Sequence, residues 1–212
     1  MNRSVACKLV AVTLFAAISA FGQYKVAPAG PPPSETPPSF AKMLEQDGAR
    51  IADSSGKVIA EIWFVSAPKK GPRSAEENVT LPETPHGALM GILRAPGAYN
   101  DRRGQAIKPG LYTLRYSMFP INGDHQGVAP QRDFFILTKI ADDADPNAAP
   151  NFDALMAASR KASGTPHPLV LSIWKADDPS PGLAQQGDAE WVLTRKAGEV
   201  VLSIIVIGKA SA

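Results

Sequence analysis

The fold of this chain is decided by residues 109–137, PGLYTLRYSMFPINGDHQGVAPQRDFFIL. From Leu111 to Met118, bulky apolar residues alternate with smaller or polar ones, which predicts a β-strand with one apolar face. The turn Lys108-Pro109-Gly110 leads into this strand. Residues Asp133–Ile140 are almost all apolar, as expected for a central strand that is covered on both faces. The stretch therefore predicts two strands of one β-sheet, joined by a polar loop.

Similar strand patterns occur on both sides of this stretch, and turn residues separate them. They are predicted at residues 49–53, 57–65, 89–93, 169–175, 190–195 and 199–207. The turns Ser54-Ser55-Gly56 and Lys196-Ala197-Gly198 predict two hairpins, and residues 66–85 are predicted to form a loop. The content of 20 Pro and 17 Gly in 212 residues argues against long helices or a coiled coil. The predicted fold is all-β, an antiparallel β-sandwich of the immunoglobulin-like or jelly-roll-like kind.

One short peripheral helix is predicted at residues 152–162. Asn151 is placed to cap its first turn, and Gly164 follows its last turn. Its apolar residues lie on one stripe, so the helix is expected to pack on the surface of the sheets. A shorter helix is predicted at residues 40–46, with Ser39 as its cap. The acidic turn at residues 142–147 is interpreted as solvated.

The N-terminal residues have the layout of a secretory signal peptide. Arg3 and Lys8 precede an apolar stretch of 13 residues, Leu9–Phe21. As a helix this stretch rises only about 20 Å, less than the roughly 30 Å of a bilayer core, so no stable membrane span is expected after processing. Small residues before Gln23 fit a cleavage site there. The sequence therefore predicts a secreted or periplasmic protein.

The predicted domain organisation has three parts. Residues 1–22 form the signal peptide, residues 23–39 a proline-rich leader, and residues 40–208 the β-sandwich domain. The leader is expected to be a solvated polyproline II spacer, because six of the twelve residues from Ala27 to Pro38 are proline. Cys7 is the single cysteine, so cleavage removes the only thiol and with it any disulfide or thiolate metal site.

The charge balance excludes one large class of partners. The chain has a net charge of +2, and without residues 1–22 its acidic and basic residues are equal in number. A neutral chain offers no electrostatic surface for nucleic acid.

Candidate site residues come mainly from the polar loop between the two strands of the opening stretch. The speculative ligand-binding residues are Asp124, His125, Arg132 and His167. A zinc or copper site would use His125, His167 and Asp124, with Asp133 or His86 as a further ligand. The histidines have no regular metal-ligand spacing, so only the fold could bring them together.

The same region carries a resemblance. The segments PG-x-YTLRY, GDH-x-G and RDF resemble those of secreted bacterial β-sandwich proteins of about this size, to which no activity is assigned. The resemblance implies the fold type and export, and it transfers no catalytic residue.

The function predicted from the sequence is a binding or structural module of the cell envelope rather than an enzyme. The chain has no G-x-S-x-G elbow and no glycine-rich phosphate loop, and no cofactor is expected. A glycan, a peptide and another envelope protein all remain open as the ligand. The alternative is a metal-binding protein or metal-dependent hydrolase that uses the histidine and aspartate residues named above.

Overall fold

A computed structural model describes residues 23–119, 131–177, 179–187 and 189–209. The strands are β1 (Tyr24–Pro28), β2 (Ala49–Asp53), β3 (Val58–Phe64), β4 (Leu89–Ala95), β5 (Tyr99–Asn100), β6 (Ala106–Ile107), β7 (Gly110–Met118), β8 (Asp133–Lys139), β9 (Leu169–Ser172), β10 (Gly182–Gln186), β11 (Glu190–Ala197) and β12 (Val200–Ile207). The helices are α1 (Pro38–Ala41) and α2 (Phe152–Ser163), and a 3-10 turn covers Ile140–Asp142. The prediction of an antiparallel all-β fold is confirmed. None of the helices in the described ranges is long and apolar enough to cross a bilayer.

The strands form two main antiparallel sheets. The larger sheet has the order β1-β2-β3-β4-β7-β8-β9, and the smaller sheet has the order β10-β11-β12. The short strands β5 and β6 pair only with each other in the part of the chain that the structure describes. Along one side the sheets are joined, because Ile173 forms a β-bridge with Ile204 and the Trp174 N–H donates to the Ser203 carbonyl at 2.8 Å. The two sheets therefore make a sandwich that is closed along that side.

The largest hydrophobic cluster, which we call the interior core, lies between the two sheets. It includes Leu114 and Phe135 of the larger sheet and Leu193 and Ile204 of the smaller sheet, all fully buried.

The other face of the larger sheet is covered as well. One cluster there joins α2 to β8, and a second joins the segment around α1 to β3 and β4. The first cluster consists of Phe119, Phe134, Ile136, Leu155, Met156 and Val170. The second cluster consists of Phe40, Leu44, Trp63, Val65, Leu89, Ile92, Leu111 and Ile140. β8 is thus buried on both faces, as its apolar sequence predicts.

Both predicted hairpins are present. In the first, the Asp53 carboxylate accepts the backbone N–H groups of Ser55 and Lys57 at 2.9 and 3.0 Å, which fixes the turn between β2 and β3. In the second, the ladder extends further than predicted, since Ala197 still pairs with Val200. The turn therefore begins at Gly198, whose φ of 57° is in the left-handed region.

Helix α2 ends where its capping residues predict. The Asn151 side chain accepts the Ala154 N–H at 2.9 Å, and Gly164 closes the helix with a φ of 73°. The other predicted helix is shorter than expected and begins earlier, so Ser39 lies inside α1 and Pro37, not Ser39, is at the cap position. α1 ends at Ala41, because Leu44 forms a β-bridge with Val65 and the chain is already extended there.

The expectation of a solvated leader before residue 40 is wrong. Residues Tyr24–Pro28 form β1, which pairs with β2 over its whole length. Beyond the strand, the Trp63 indole N–H donates to the Gly30 carbonyl at 2.7 Å. A proline is tolerated at Pro28 because it ends an edge strand, where one side of the backbone needs no partner. The larger sheet therefore includes residues from Tyr24 onwards.

Candidate functional site

Arg132 and His167, two of the predicted ligand-binding residues, lie at opposite ends of the larger sheet. Arg132 comes directly before β8, and His167 comes shortly before β9. These strands are antiparallel, with Leu137 opposite Leu169. At about 3.4 Å per residue, Arg132 and His167 are therefore separated by roughly 24 Å along the strands. They do not share one site.

The predicted metal ligands form no cluster among the residues that the structure describes. Asp124 and His125 lie outside the described residues. His86 lies beside Ser117, close to the end of β7, and so at the far end of the sheet from His167. Within the described ranges, no three His, Cys, Asp or Glu side chains come together as metal ligands. The metal site stays a prediction.

A cleft of about 520 Å³ opens at the end of the sandwich where β7 ends and β8 begins. We call it the loop cleft, and it is lined by Ser74, Ala75, Glu76, Glu77, Asn78 and Arg132. Five of these residues belong to the loop between β3 and β4, and the sixth precedes β8. Asn78 has a φ of 57°, and among the described residues it is the sole non-glycine in the left-handed region. The bend at Asn78 is held in place, because its carbonyl accepts the Arg132 N–H at 3.2 Å.

Arg132 is fixed in this cleft by two contacts. Its Nη2 donates to the Phe119 carbonyl at 2.8 Å, and its Nη1 donates to the Glu76 carboxylate at 2.5 Å. Its Nε is buried and has no hydrogen-bond partner among the described residues. A buried donor without an acceptor is costly, but a ligand in the cleft cannot reach this nitrogen without a rearrangement.

Asp133 anchors the loop that lines the cleft. Its side chain is fully buried, and Oδ2 accepts the backbone N–H groups of Thr80 and Leu81 at 2.7 and 2.8 Å. Burial raises the pKa of Asp133, while the two N–H donors act in the opposite direction. Leu81 is itself part of the interior core. The loop is therefore tied to the sandwich immediately after the residues that form the cleft.

His86 and Ser117 form a second polar pair at the same end of the sheet. The Ser117 hydroxyl and His86 Nδ1 are 3.3 Å apart, and burial lowers the pKa of His86. The His86 ring packs near Phe152, with ring centres 6.1 Å apart. A serine beside a histidine is the pattern of an activated nucleophile. Here the Ser117 side chain is completely buried, so a substrate cannot reach its oxygen without a rearrangement.

Sequence reasoning gave no role to Arg115, which holds the most extensive hydrogen-bond cluster at this end. Its guanidinium is fully buried on β7 and binds both oxygens of Asp143, at 2.6 and 2.7 Å. It also donates to the carbonyls of Gly87, Ala148 and Asp145 at 2.6 to 2.7 Å. We call this set the Arg115 clamp. It joins the loop before β4 to the segment before α2.

The interpretation of the acidic turn at residues 142–147 as solvated is wrong for Asp143, whereas Asp142, Asp145 and Asn147 are exposed as expected. Asp143 is only 10% exposed and neutralises a buried arginine. Such a pair is stable only when all its polar atoms find partners, and Arg115 achieves this with backbone carbonyls. The single signal in the sequence was a charged residue inside the alternating pattern of β7. The clamp is a structural element, whereas the loop cleft is open to solvent.

Comparisons of the chain with models of protein families, with curated proteins and with solved structures found no match. The resemblance to secreted bacterial β-sandwich proteins therefore stays a prediction. What the protein does has to be inferred from its own residues.

Proposed function

We propose that the protein is an exported binding module of the cell envelope and that the loop cleft is its ligand site. The observation that carries this proposal is the cleft itself, a solvent-accessible space of about 520 Å³ on a loop whose far end is anchored in the core. Ligand sites in proteins typically have volumes of roughly 300–1,000 Å³. Loops on a rigid scaffold are also where binding residues concentrate.

Preorganisation of the loop supports a binding role. Asp133 holds the loop at Thr80 and Leu81, and Arg132 holds it at Asn78 and Glu76. A loop that is already ordered loses little conformational entropy when a ligand binds, so more of the contact energy appears as affinity.

Export is supported by the sequence layout of residues 1–22, in which Arg3 and Lys8 precede an apolar stretch and small residues precede Gln23. The predicted cleavage site before Gln23 lies one residue ahead of β1, so removal of residues 1–22 leaves every described strand intact. Expression in an exporting bacterial host should give a secreted or periplasmic product whose intact mass matches residues 23–212. A product of full-length mass in that fraction would contradict the proposed processing.

Binding at the cleft is tested by protein-observed NMR with a small library of neutral, cationic and anionic fragments. We expect the largest amide shifts at residues 74–78 and Arg132, and little change around His167. Arg132→Gln should weaken those interactions, whereas Arg160→Gln, on the exposed side of α2, should leave them unchanged. If no fragment at millimolar concentration shifts residues 74–78, or if Arg160→Gln has the same effect as Arg132→Gln, the cleft is not the ligand site.

A further inference from the structure

Gln23 becomes the first residue of the chain once residues 1–22 are removed as proposed. It lies directly before β1 and is exposed, and its side chain has no hydrogen-bond or ion-pair partner among the described residues. The next residue is already fixed, because Tyr24 pairs with Asp53 at the start of β1. Cleavage therefore leaves one accessible glutamine at the end of an ordered strand.

A glutamine at the N-terminus carries a nucleophile and an electrophile in one residue. α-Amino groups ordinarily have a pKa of about 7.7–8.0, so about a tenth of the amine is uncharged and nucleophilic at pH 7. The side-chain amide carbon is at the distance that closes a five-membered ring. Attack within one residue avoids the entropy cost of bringing two reactants together. Since no contact among the described residues holds the Gln23 side chain away from its own amine, the ring is free to close.

We propose that Gln23 of the processed chain is converted to pyroglutamate. The α-nitrogen forms a bond to Gln23 Cδ, and the bond between Cδ and Nε2 breaks. The α-ammonium group gives up two protons, and the departing amide nitrogen takes them up and leaves as ammonium, so no oxidant, reductant or co-reactant is needed. The N-terminus loses its positive charge in this step. The inference rests on the proposed function, since it requires the export cleavage before Gln23.

The modification protects the contact that follows it in the chain. β1 is an edge strand of the larger sheet, and the Tyr24 ring packs edge-to-face on Trp191 of the smaller sheet, with ring centres 5.4 Å apart. Chain termini are where proteolysis concentrates. Aminopeptidases need a free α-amino group, which the lactam removes. Pyroglutamate at position 23 therefore keeps these enzymes away from the residue that links β1 to the smaller sheet.

The test is the intact mass of the full chain after expression in an exporting bacterial host, measured before and after incubation at neutral pH. We expect the mass of residues 23–212 less the mass of one ammonia, and no trimming by a broad-specificity aminopeptidase. Gln23→Asn is the matched control, because it keeps the amide but is one methylene shorter, so the same attack would give a strained four-membered ring. That variant should keep its ammonia and lose its first residue to the aminopeptidase.

The results that would overturn the inference can be told apart from a failure of the proposed export. A product with the full mass of residues 23–212, before and after incubation, would mean that cleavage occurs and the ring does not form. An equal loss of ammonia in Gln23→Asn would place the reaction at another amide. A product of full-length mass, or one that begins at another residue, would refute the cleavage itself and with it the modification. Gln23 is exposed, so its substitution does not threaten the fold.

Discussion

Replacement of Arg115 by lysine should destabilise the protein by about 3–5 kcal/mol, although the positive charge is kept. Arginine makes five hydrogen bonds here, two to Asp143 and three to backbone carbonyls. A lysine ammonium has three donors and no planar fork, so it cannot satisfy all five acceptors. At least two buried acceptors would be left without partners, at about 1–3 kcal/mol each.

The loss is measured by urea unfolding, followed by the fluorescence of the buried Trp63 and Trp191. Arg50→Lys is the matched control, because Arg50 also pairs with a carboxylate, Glu61, but is 43% exposed. We expect Arg50→Lys to change the free energy of unfolding by less than about 1 kcal/mol. The Arg115→Lys loss is a large fraction of the roughly 5–15 kcal/mol by which a domain is stable.

A loss below about 1 kcal/mol for Arg115→Lys would refute this account of the clamp. It would mean that the carbonyls reach water or other donors once the guanidinium is gone. A second variant, Asp143→Asn, keeps the shape of the partner and removes its charge. If Arg115→Lys costs the same in the Asp143→Asn variant as in the unmodified chain, the two side chains are not energetically coupled.

Three further outcomes are expected, each from a measurement of the free energy of unfolding. Asp133→Asn should lower the free energy of unfolding by less than about 1 kcal/mol near neutral pH, because Asn still accepts both N–H groups and avoids the burial of a charge. Asp133→Ala removes the acceptor of both N–H groups and should lower it by about 3 kcal/mol. Burial lowers the pKa of His86, so the unfolded state binds a proton at a higher pH than the folded state does. The free energy of unfolding should therefore fall as the pH drops below about 6.5, and it should fall less in His86→Gln. Gly87→Ala should cost more than about 1 kcal/mol, since Gly87 has a φ of 77° and a Cβ there would lie 2.6 Å from the Pro150 carbonyl oxygen. Gly97→Ala, with open space around it, should change stability by less than about 0.5 kcal/mol. Equal losses in the two glycine variants would contradict this explanation.

Elements with local signals could be predicted from the sequence. The turn before Val58 and the caps of α2 depend on residues within a few positions of each other, so the sequence predicts both correctly. β7 and β8 follow from alternation and from continuous apolar character. The strands that were missed lack such signals. β1 adjoins a proline run, β10 lies between Pro181 and Gly187, and β5 and β6 have only two residues each. Their pairing partners, rather than their own sequences, make them strands.

The candidate site was harder to predict, because its parts are distant along the chain. Arg132 is singled out by the sequence and lines the loop cleft, but its partner Glu76 is 56 positions away. The acceptors of the Arg115 clamp are 28 to 33 positions away from Arg115. No local pattern encodes such contacts, since they exist only once β7 and β8 have paired. For the same reason, the sequence alone indicates no more than solvated charges for the adjacent carboxylates Glu76 and Glu77.

The order of the strands along the chain also determines when the interior core can close during synthesis. All strands of the larger sheet lie between Tyr24 and Ser172, and the smaller sheet follows only at Gly182–Ile207. A nascent chain that folded as it emerged would expose the apolar face of the complete larger sheet until β10, β11 and β12 had also emerged. Exposed apolar surface on a partly folded chain promotes aggregation. The interior core can therefore close only after the three strands of the smaller sheet have emerged and cover that face.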